Sequence, residues 1–219
     1  MISLIYVSGW RIKYKSGKEE GDYMKQYEIR ADYDRETIVV YQAYREAIGK
    51  PAINNKKFVP PFSFSRMTWI KPSFLWMMER SNYGRKAGQE YILAIRIKRP
   101  AWEYALSQAV LTHPSPDVYA NGELWRMQFD DAKVHVQWDP ERNIRGGKLD
   151  YRSIQVGISR HLIEVYNDDW ITDIVDYRPL VDKIYDLRMK GRYDKAKSLL
   201  PREKVYPVPA DIMKRLGMD

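Results

Sequence analysis

Two stretches of this chain concentrate side chains able to hold and transform a ligand. Residues 60–80, PPFSFSRMTWIKPSFLWMMER, set Phe62, Phe64, Trp69, Phe74 and Trp76 among Arg66, Lys71, Glu79 and Arg80. Cations beside flat rings suit a phosphate-bearing ligand, because a guanidinium can take two phosphate oxygens at once and an indole offers a stacking face. The competing reading is the edge of a hydrophobic core, the commoner fate of such aromatics. Residues 137–142, QWDPER, read as a strand ending in Asp-Pro, which puts Asp139, Glu141 and Arg142 at a strand end, where sites often form. The functional reading is a carboxylate held by Arg and Gln beside a ligand. The plain one is an Asp-Pro turn with a local Glu/Arg pair. Arg30, followed by Asp32 and Asp34, closes another strand in the same manner. Arg152 and Gln155 interrupt an apolar run, and a long polar side chain there needs a partner or a ligand.

The sequence excludes several chemistries. It has no Cys, so disulfides, thiolate catalysis and Cys-ligated zinc are absent. Its three His, at 113, 135 and 161, lack i,i+4 spacing, and no metal site is expected from them. No Walker A loop, GxGxxG, HExxH or GxSxG occurs, and Gly146-Gly147 reads as a turn. Carboxylate and general acid–base chemistry remain. A metal-dependent nuclease would need Asp32, Asp34, Asp139 and Glu141 to converge. With 37 Lys and Arg against 29 Asp and Glu, the net charge is +8, which favours an anionic partner: nucleic acid, nucleotide or an acidic surface. Lys56-Lys57, Arg85-Lys86, Arg96 and Lys98-Arg99 are candidate phosphate contacts, or else solvated faces.

These residues must be placed by elements that the pattern outlines. Pro72 suits the first turn of a helix, and the run from Ser73 to Met78 is apolar on nearly every face, so a buried central helix is expected. It is far short of the roughly 20 residues that span a bilayer. Residues 2–15 read as one or two strands, 16–22 as a charged loop, and 27–31 as a strand. Residues 37–48 read as a helix, N-capped by Asp34 and stopped by Gly49-Lys50-Pro51. Residues 89–98 are the clearest strand. A helix follows over 101–111, then strands over 134–138, 152–158 and 170–175, with a short helix or turn over 161–166. Helices over 179–190 and 193–200 flank Gly191, and an extended tail over 201–209 leads to a last turn at 210–216. The 219 residues suit one α+β domain over 1–219, with a mixed or largely antiparallel sheet, a buried central helix and a C-terminal helical pair. Residues 1–25 form its N-terminal strands and loop, and 201–219 its extended tail. With no signal peptide and no transmembrane run, a cytoplasmic protein without a membrane partner is expected.

The assembled blocks resemble an uncharacterised family catalogued as domain of unknown function 4291. The resemblance is carried by Arg30-Ala31, Tyr33-Asp34 and the run Thr37-Ile38-Val39-Val40-Tyr41-Gln42-Ala43-Tyr44. The run from Arg66 to Met78, then Gln137-Trp138-Asp139-Pro140-Glu141-Arg142 and Arg152-Ser153-Ile154-Gln155-Val156-Gly157, extend it, and Leu199-Leu200-Pro201, Glu203 and Tyr206-Pro207 close it. There is also a loose likeness to ADP-ribosyltransferases. It implies Glu141, Arg30 and Gln155 as catalytic candidates, with Glu141 supporting the ribose. It implies Arg30, Tyr41, Arg66, Trp69, Lys71, Arg80 and Arg152 as the residues holding NAD, and a nucleic acid or nucleotide as acceptor. The alternative is a nucleic-acid binder that needs no NAD, with phosphates on basic residues and bases stacked on Tyr and Trp. A third is a scaffold whose aromatics are core. Convergence of Arg30, Arg66, Lys71, Glu141 and Gln155 in one cleft would favour an enzyme.

Overall fold

A computed structural model describes residues 26–218. In chain order they form β1 (Arg30–Ala31), β2 (Thr37–Tyr44), α1 (Glu46–Asn55), β3 (Thr68–Ile70), α2 (Phe74–Ser81), β4 (Tyr91–Lys98), α3 (Arg99–Ser107), β5 (Ala109–Leu111) and α4 (Gly122–Asp131). These are followed by β6 (Val134–Arg142), β7 (Lys148–Ile158), α5 (Ile163–Val165), a π-helical turn (Tyr166–Trp170), β8 (Ile171–Asp176), α6 (Arg178–Met189), α7 (Tyr193–Lys197), β9 (Lys204–Val205) and α8 (Ala210–Leu216). The class is α+β with largely antiparallel sheets.

One antiparallel sheet has the order β2-β4-β8, and a second has the order β3-β7-β6-β5, in which only β5 runs parallel to its neighbour. β1 and β9 pair separately. The two larger sheets meet where Tyr41 and Lys71 exchange backbone hydrogen bonds, N–H of Tyr41 to O of Lys71 at 2.7 Å and the reverse at 3.2 Å. The three-stranded sheet is apolar on both faces. Ile38, Val40, Leu93 and Ile95 enter one core with Trp102 and Tyr166, while Val39, Tyr41, Ile92 and Ala94 enter another with α2 and α6. This explains the near-continuous apolar run of β4. The four-stranded sheet is different. Val134, Val136, Trp138, Ile154, Val156 and Ile158 join the first core. By the two-residue period of a strand, Gln137, Asp139, Ser153 and Gln155 project from its other face.

The segment expected as one helix over 37–48 is a strand and then a helix. Thr37-Ile38-Val39-Val40 is β-branched throughout, and β2 pairs with β4 along all of its length, from Thr37↔Lys98 to Tyr44↔Tyr91. Gly49-Lys50-Pro51 does not stop a helix but lies inside α1, which ends on Lys56 in a left-handed conformation (φ 56°). The strand expected to break at Asp139-Pro140 continues to Arg142 with an irregular register after Pro140. β5 pairs with residues 134–136, so among the described residues β6 has a free edge beyond them, and an edge tolerates the missing proline N–H. The expected helix over 101–111 ends at Ser107, and Ala109–Leu111 is a buried strand. α4 was not anticipated, although the Asn121 Oδ1 that accepts from Leu124 N–H at 2.8 Å is a recognisable N-cap. Pro72 stands just before the cap of α2 rather than in its first turn; the cap is Ser73, whose Oγ accepts from Trp76 N–H. The strands expected over 2–15 and the loop over 16–22 lie outside the described residues. Among the described residues no helix is long and apolar enough to cross a membrane.

α1 lies close on β4. A Cβ added at Gly49 would sit 2.4 Å from Tyr91 Cβ, whereas one at Gly122 meets nothing within 4 Å. Gly49→Ala is therefore expected to destabilise the protein by about 1–3 kcal/mol through overpacking. Gly122→Ala is expected to leave stability unchanged or slightly higher, and urea unfolding of the two variants side by side checks the contact.

Candidate active site

The polar face of the four-stranded sheet is only partly covered. α2 lies over one end of it, with the Trp76 ring 5.8 Å beneath the Arg142 guanidinium. The open part, with the end of β2 and residues 66–71, forms a cleft of about 690 Å³. Arg66, Lys71 and Arg80 line it, and among the described residues Asp139 is the one carboxylate in its lining. Trp69 and Trp76 supply rings, and Gln42, Gln89, Gln137 and Gln155 supply amides. Gly157 makes room for Trp69: a Cβ there would meet Met67 Sδ at 2.7 Å and the Trp69 ring at 3.0 Å.

The cleft is preorganised by hydrogen bonds between side chains far apart in sequence. Asp139 Oδ1 accepts from Gln137 Nε2 at 2.8 Å, and Oδ2 accepts from Gln155 Nε2 at 2.6 Å. Gln42 Nε2 donates to Thr68 Oγ1 at 2.5 Å and to Tyr44 OH at 2.9 Å, and Gln42 Oε1 accepts from Tyr166 OH at 2.9 Å. Burial pushes the Tyr44 phenol up to about 12 and the Tyr166 phenol well above the ordinary range, so both are neutral donors at physiological pH.

Lys71 is only 7% exposed. Burial lowers its amine to about 8, the Arg80 charge adds to this, and Asp139 opposes it. Among the described residues, Lys71 Nζ, Arg66 and Arg80 have no hydrogen-bonded or ion-paired acceptor. Cations elsewhere behave differently. Lys56 pairs with Asp173, Lys57 with Asp168, Arg85 with Asp182, Arg96 with Asp34, Lys98 with Asp169 and Arg99 with Glu103, all between 2.7 and 3.6 Å. Most of the basic residues proposed from sequence as phosphate contacts are therefore engaged with carboxylates.

Beside the cleft, under the N-terminus of α2, lies an acidic cluster in which Glu141 is buried and Glu203 half-buried. Glu203 Oε1 accepts from Phe74 N–H at 2.6 Å. Burial holds the Glu203 carboxyl well above its usual range, Glu141 and Asp32 push the same way, and the Phe74 amide opposes them. Burial also raises Glu141, against hydrogen bonds from Arg142 N–H, Ser73 and Ser153. Arg30 Nε lies 2.7 Å from Glu28 Oε1, and its guanidinium is 5.5 Å from the Tyr151 ring centre.

Of the residues singled out from sequence, Arg66, Trp69, Lys71, Arg80 and Gln155 meet in the cleft. Four do not line it. Glu141 and Arg30 belong to the acidic cluster. Tyr41 is fully buried, edge-on to Phe74 at 5.5 Å. Arg152 lies in register with Pro140, on the opposite face from Gln155, and lines a smaller pocket of about 260 Å³ with Tyr27 and Trp138. Arg66, Lys71 and Gln155 thus converge, while Arg30 and Glu141 do not join them. Sequence reasoning marked Trp76, Gln137 and Asp139 within its two stretches without naming them among the residues holding NAD, and it passed over Gln42. Gln42 was hidden by the helical reading of 37–48; as a strand, that segment shows a lone amide in an apolar run. Among the described residues no three His, Asp or Glu side chains gather as a metal would need.

The family model described as Domain of unknown function (DUF4291) matches residues 28–206. The chain belongs to this family. No curated protein and no solved structure matches it. The family's match spans both halves of the cleft, from Gln42 to Gln155, and reaches Glu203.

Two stability measurements follow from the buried charges. The folded Lys71 value lies below the ordinary 10.5, so the unfolded chain binds more protons between about 8 and 10.5. Stability should rise with pH across that window, and the full penalty applies below it. Lys71→Met should raise stability at pH 7 by about 3 kcal/mol and flatten that rise, as read by denaturation at a series of pH values. For Glu203 the folded value is raised, so stability is greatest below the unfolded carboxylate range and falls as pH rises above it. Glu203→Gln keeps an acceptor for Phe74 N–H and removes the charge. It should raise stability at pH 8 and make little difference at pH 4, as read by urea denaturation at the two pH values.

Proposed function

We propose that the cleft binds a nucleotide and that the protein is a transferase resembling ADP-ribosyltransferases, with NAD as donor and a nucleic acid or nucleotide as acceptor. The observation that carries this reading is the charge arrangement. Among the described residues, three cations without protein partners and two indole rings surround a single carboxylate, itself fixed by two glutamine amides. Such cations await an anion, and the rings suit a planar base. In this reading Arg66, Arg80 and Lys71 take the pyrophosphate, and Trp69 or Trp76 takes a ring. Asp139, rather than Glu141, is the carboxylate that acts on the ribose, and Gln155 is a positioning residue that orients it.

The chemistry suits these groups. The bond between nicotinamide and the ribose carbon breaks, and its electron pair leaves with nicotinamide. Positive charge grows on the ribose carbon, where a carboxylate already held in place lowers the barrier without reorganising. An acceptor lone pair forms the new bond, and the acceptor proton passes to a base. Asp139 is the group assigned to take it, while Lys71 stays protonated on the pyrophosphate.

A thermal melt with NAD tests the binding. At a ligand concentration of about 100 times Kd, stabilisation of about 2.7 kcal/mol is expected, a rise of roughly 5–10 °C for a chain of this size. Arg80→Ala should reduce the rise. Asp139→Asn should keep it while lowering nicotinamide release by about a hundredfold or more. No rise with NAD, ADP-ribose or ATP would remove the nucleotide reading. A rise with ATP but not with NAD would keep the nucleotide and remove ADP-ribosyl transfer.

A further inference from the structure

The C-terminal helical pair carries a second group of cations with no carboxylate partner among the described residues. Between Lys183 and Lys197 the chain has Lys183, Arg188, Lys190, Arg192, Lys195 and Lys197 against only Asp186 and Asp194. Val181, Ile184 and Ala196 anchor α6 and α7 in the second core, and Lys190, Arg192, Lys195 and Lys197 are left exposed. None of these four forms an ion pair among the described residues. This contrasts with the paired cations around β2, β4 and β8.

Planar groups are interleaved with this charge. The Arg145 guanidinium lies 4.2 Å from the Tyr193 ring centre, and that of Arg85 lies 3.6 Å from Tyr185. Arg188 welds the turn between β6 and β7 onto α6. Its Nε donates to Ile144 O at 3.0 Å and its Nη2 to Arg145 O at 3.2 Å. Arg145 and the exposed cations of the pair are thereby held on one body. The surface also adjoins the cleft: residues 82–89 run from Arg85, which pairs with Asp182 of α6 at 3.1 Å, to Gly88 and Gln89, which line the cleft.

The geometry points to α6, α7 and the β6–β7 turn as a binding surface for single-stranded nucleic acid. Phosphates exchange their counterions for the unpaired Lys and Arg, and unstacked bases find Tyr and Arg planes. An acidic peptide need offer no flat groups to stack on these planes. The inference deepens the proposed function, since it names the acceptor class and the route by which an acceptor reaches the cleft. The binding itself does not require that NAD be the donor.

The test is fluorescence anisotropy of the full chain with a labelled oligonucleotide of about 16 nucleotides, as RNA and as DNA, between about 50 and 200 mM salt. Binding that weakens steeply with salt is expected. The triple variant K190E/R192E/K195E should bind at least tenfold more weakly with a shallower salt dependence, while melting like the parent and keeping any NAD-induced rise. Arg126→Ala, on α4 and outside both the cleft and this surface, should leave oligonucleotide affinity unchanged. Absence of binding, or equal binding by the triple variant, would overturn the inference. So would binding to anionic lipid vesicles as tight as to the oligonucleotide. A failed NAD melt together with charge-dependent oligonucleotide binding would remove the transferase reading and leave this surface standing.

Discussion

The paired backbone hydrogen bonds between Tyr41 and Lys71 are the constraint on which the remaining architecture depends. They join a sheet that is apolar on both faces to one that is apolar on a single face. On the Tyr41 side the side chain goes into the second core, where it is fully buried. On the Lys71 side the chain is fixed at the edge of the polar face, and Pro72 and Ser73 turn it directly into α2. A buried amine, a capped helix and the floor of a cleft thus follow within three residues of one seam.

Charge partnering divides the surface into regions with different roles. Around β2, β4 and β8, cations sit against carboxylates and contribute little net field; exposed pairs of this kind are each worth about 0–1 kcal/mol. In the cleft and on the C-terminal helical pair the cations have no such partners among the described residues. An anion can use the charge in both places. The cleft holds its cations among rings and fixed amides, which suits a small ligand with defined geometry. The helical pair holds them on an exposed face, which suits a long one.

The acidic cluster beside the cleft shows how the tail is tied to the site. Glu203 lies between α7 and β9 and reaches back to the first turn of α2, where its carboxylate accepts the Phe74 amide. Tyr206 adds a second tether, donating to Glu103 at 2.6 Å and accepting from Arg99 at 3.1 Å. Burial of Glu203 and Glu141 so close together is unfavourable for charge, and the helix amides and the Ser73 and Ser153 hydroxyls offset part of it. These carboxyls support the wall of the cleft from behind.

Local residue pattern alone determined a good part of this protein. The buried helix after Pro72, the strands over 89–98 and 152–158 and the helix over 179–190 were legible because each is governed by near neighbours: a cap, an apolar run, a glycine after the last turn. The concentration of Arg66, Trp69, Lys71 and Arg80 was legible for the same reason, since they lie on adjoining elements of one stretch. Tertiary structure decided the rest. Whether 37–48 was a helix or a strand depended on β4, more than forty residues away, offering eight paired positions to a β-branched run. Whether Asp139 or Glu141 faced the cleft depended on the irregular register after Pro140 and on α2 lying over the far end of the strand. Which cations stayed without partners depended on where the carboxylates of β8, α3 and α6 came to rest. Periodicity and propensity act over a few residues, whereas pairing, burial and charge partnering are set by segments that meet only when the chain folds.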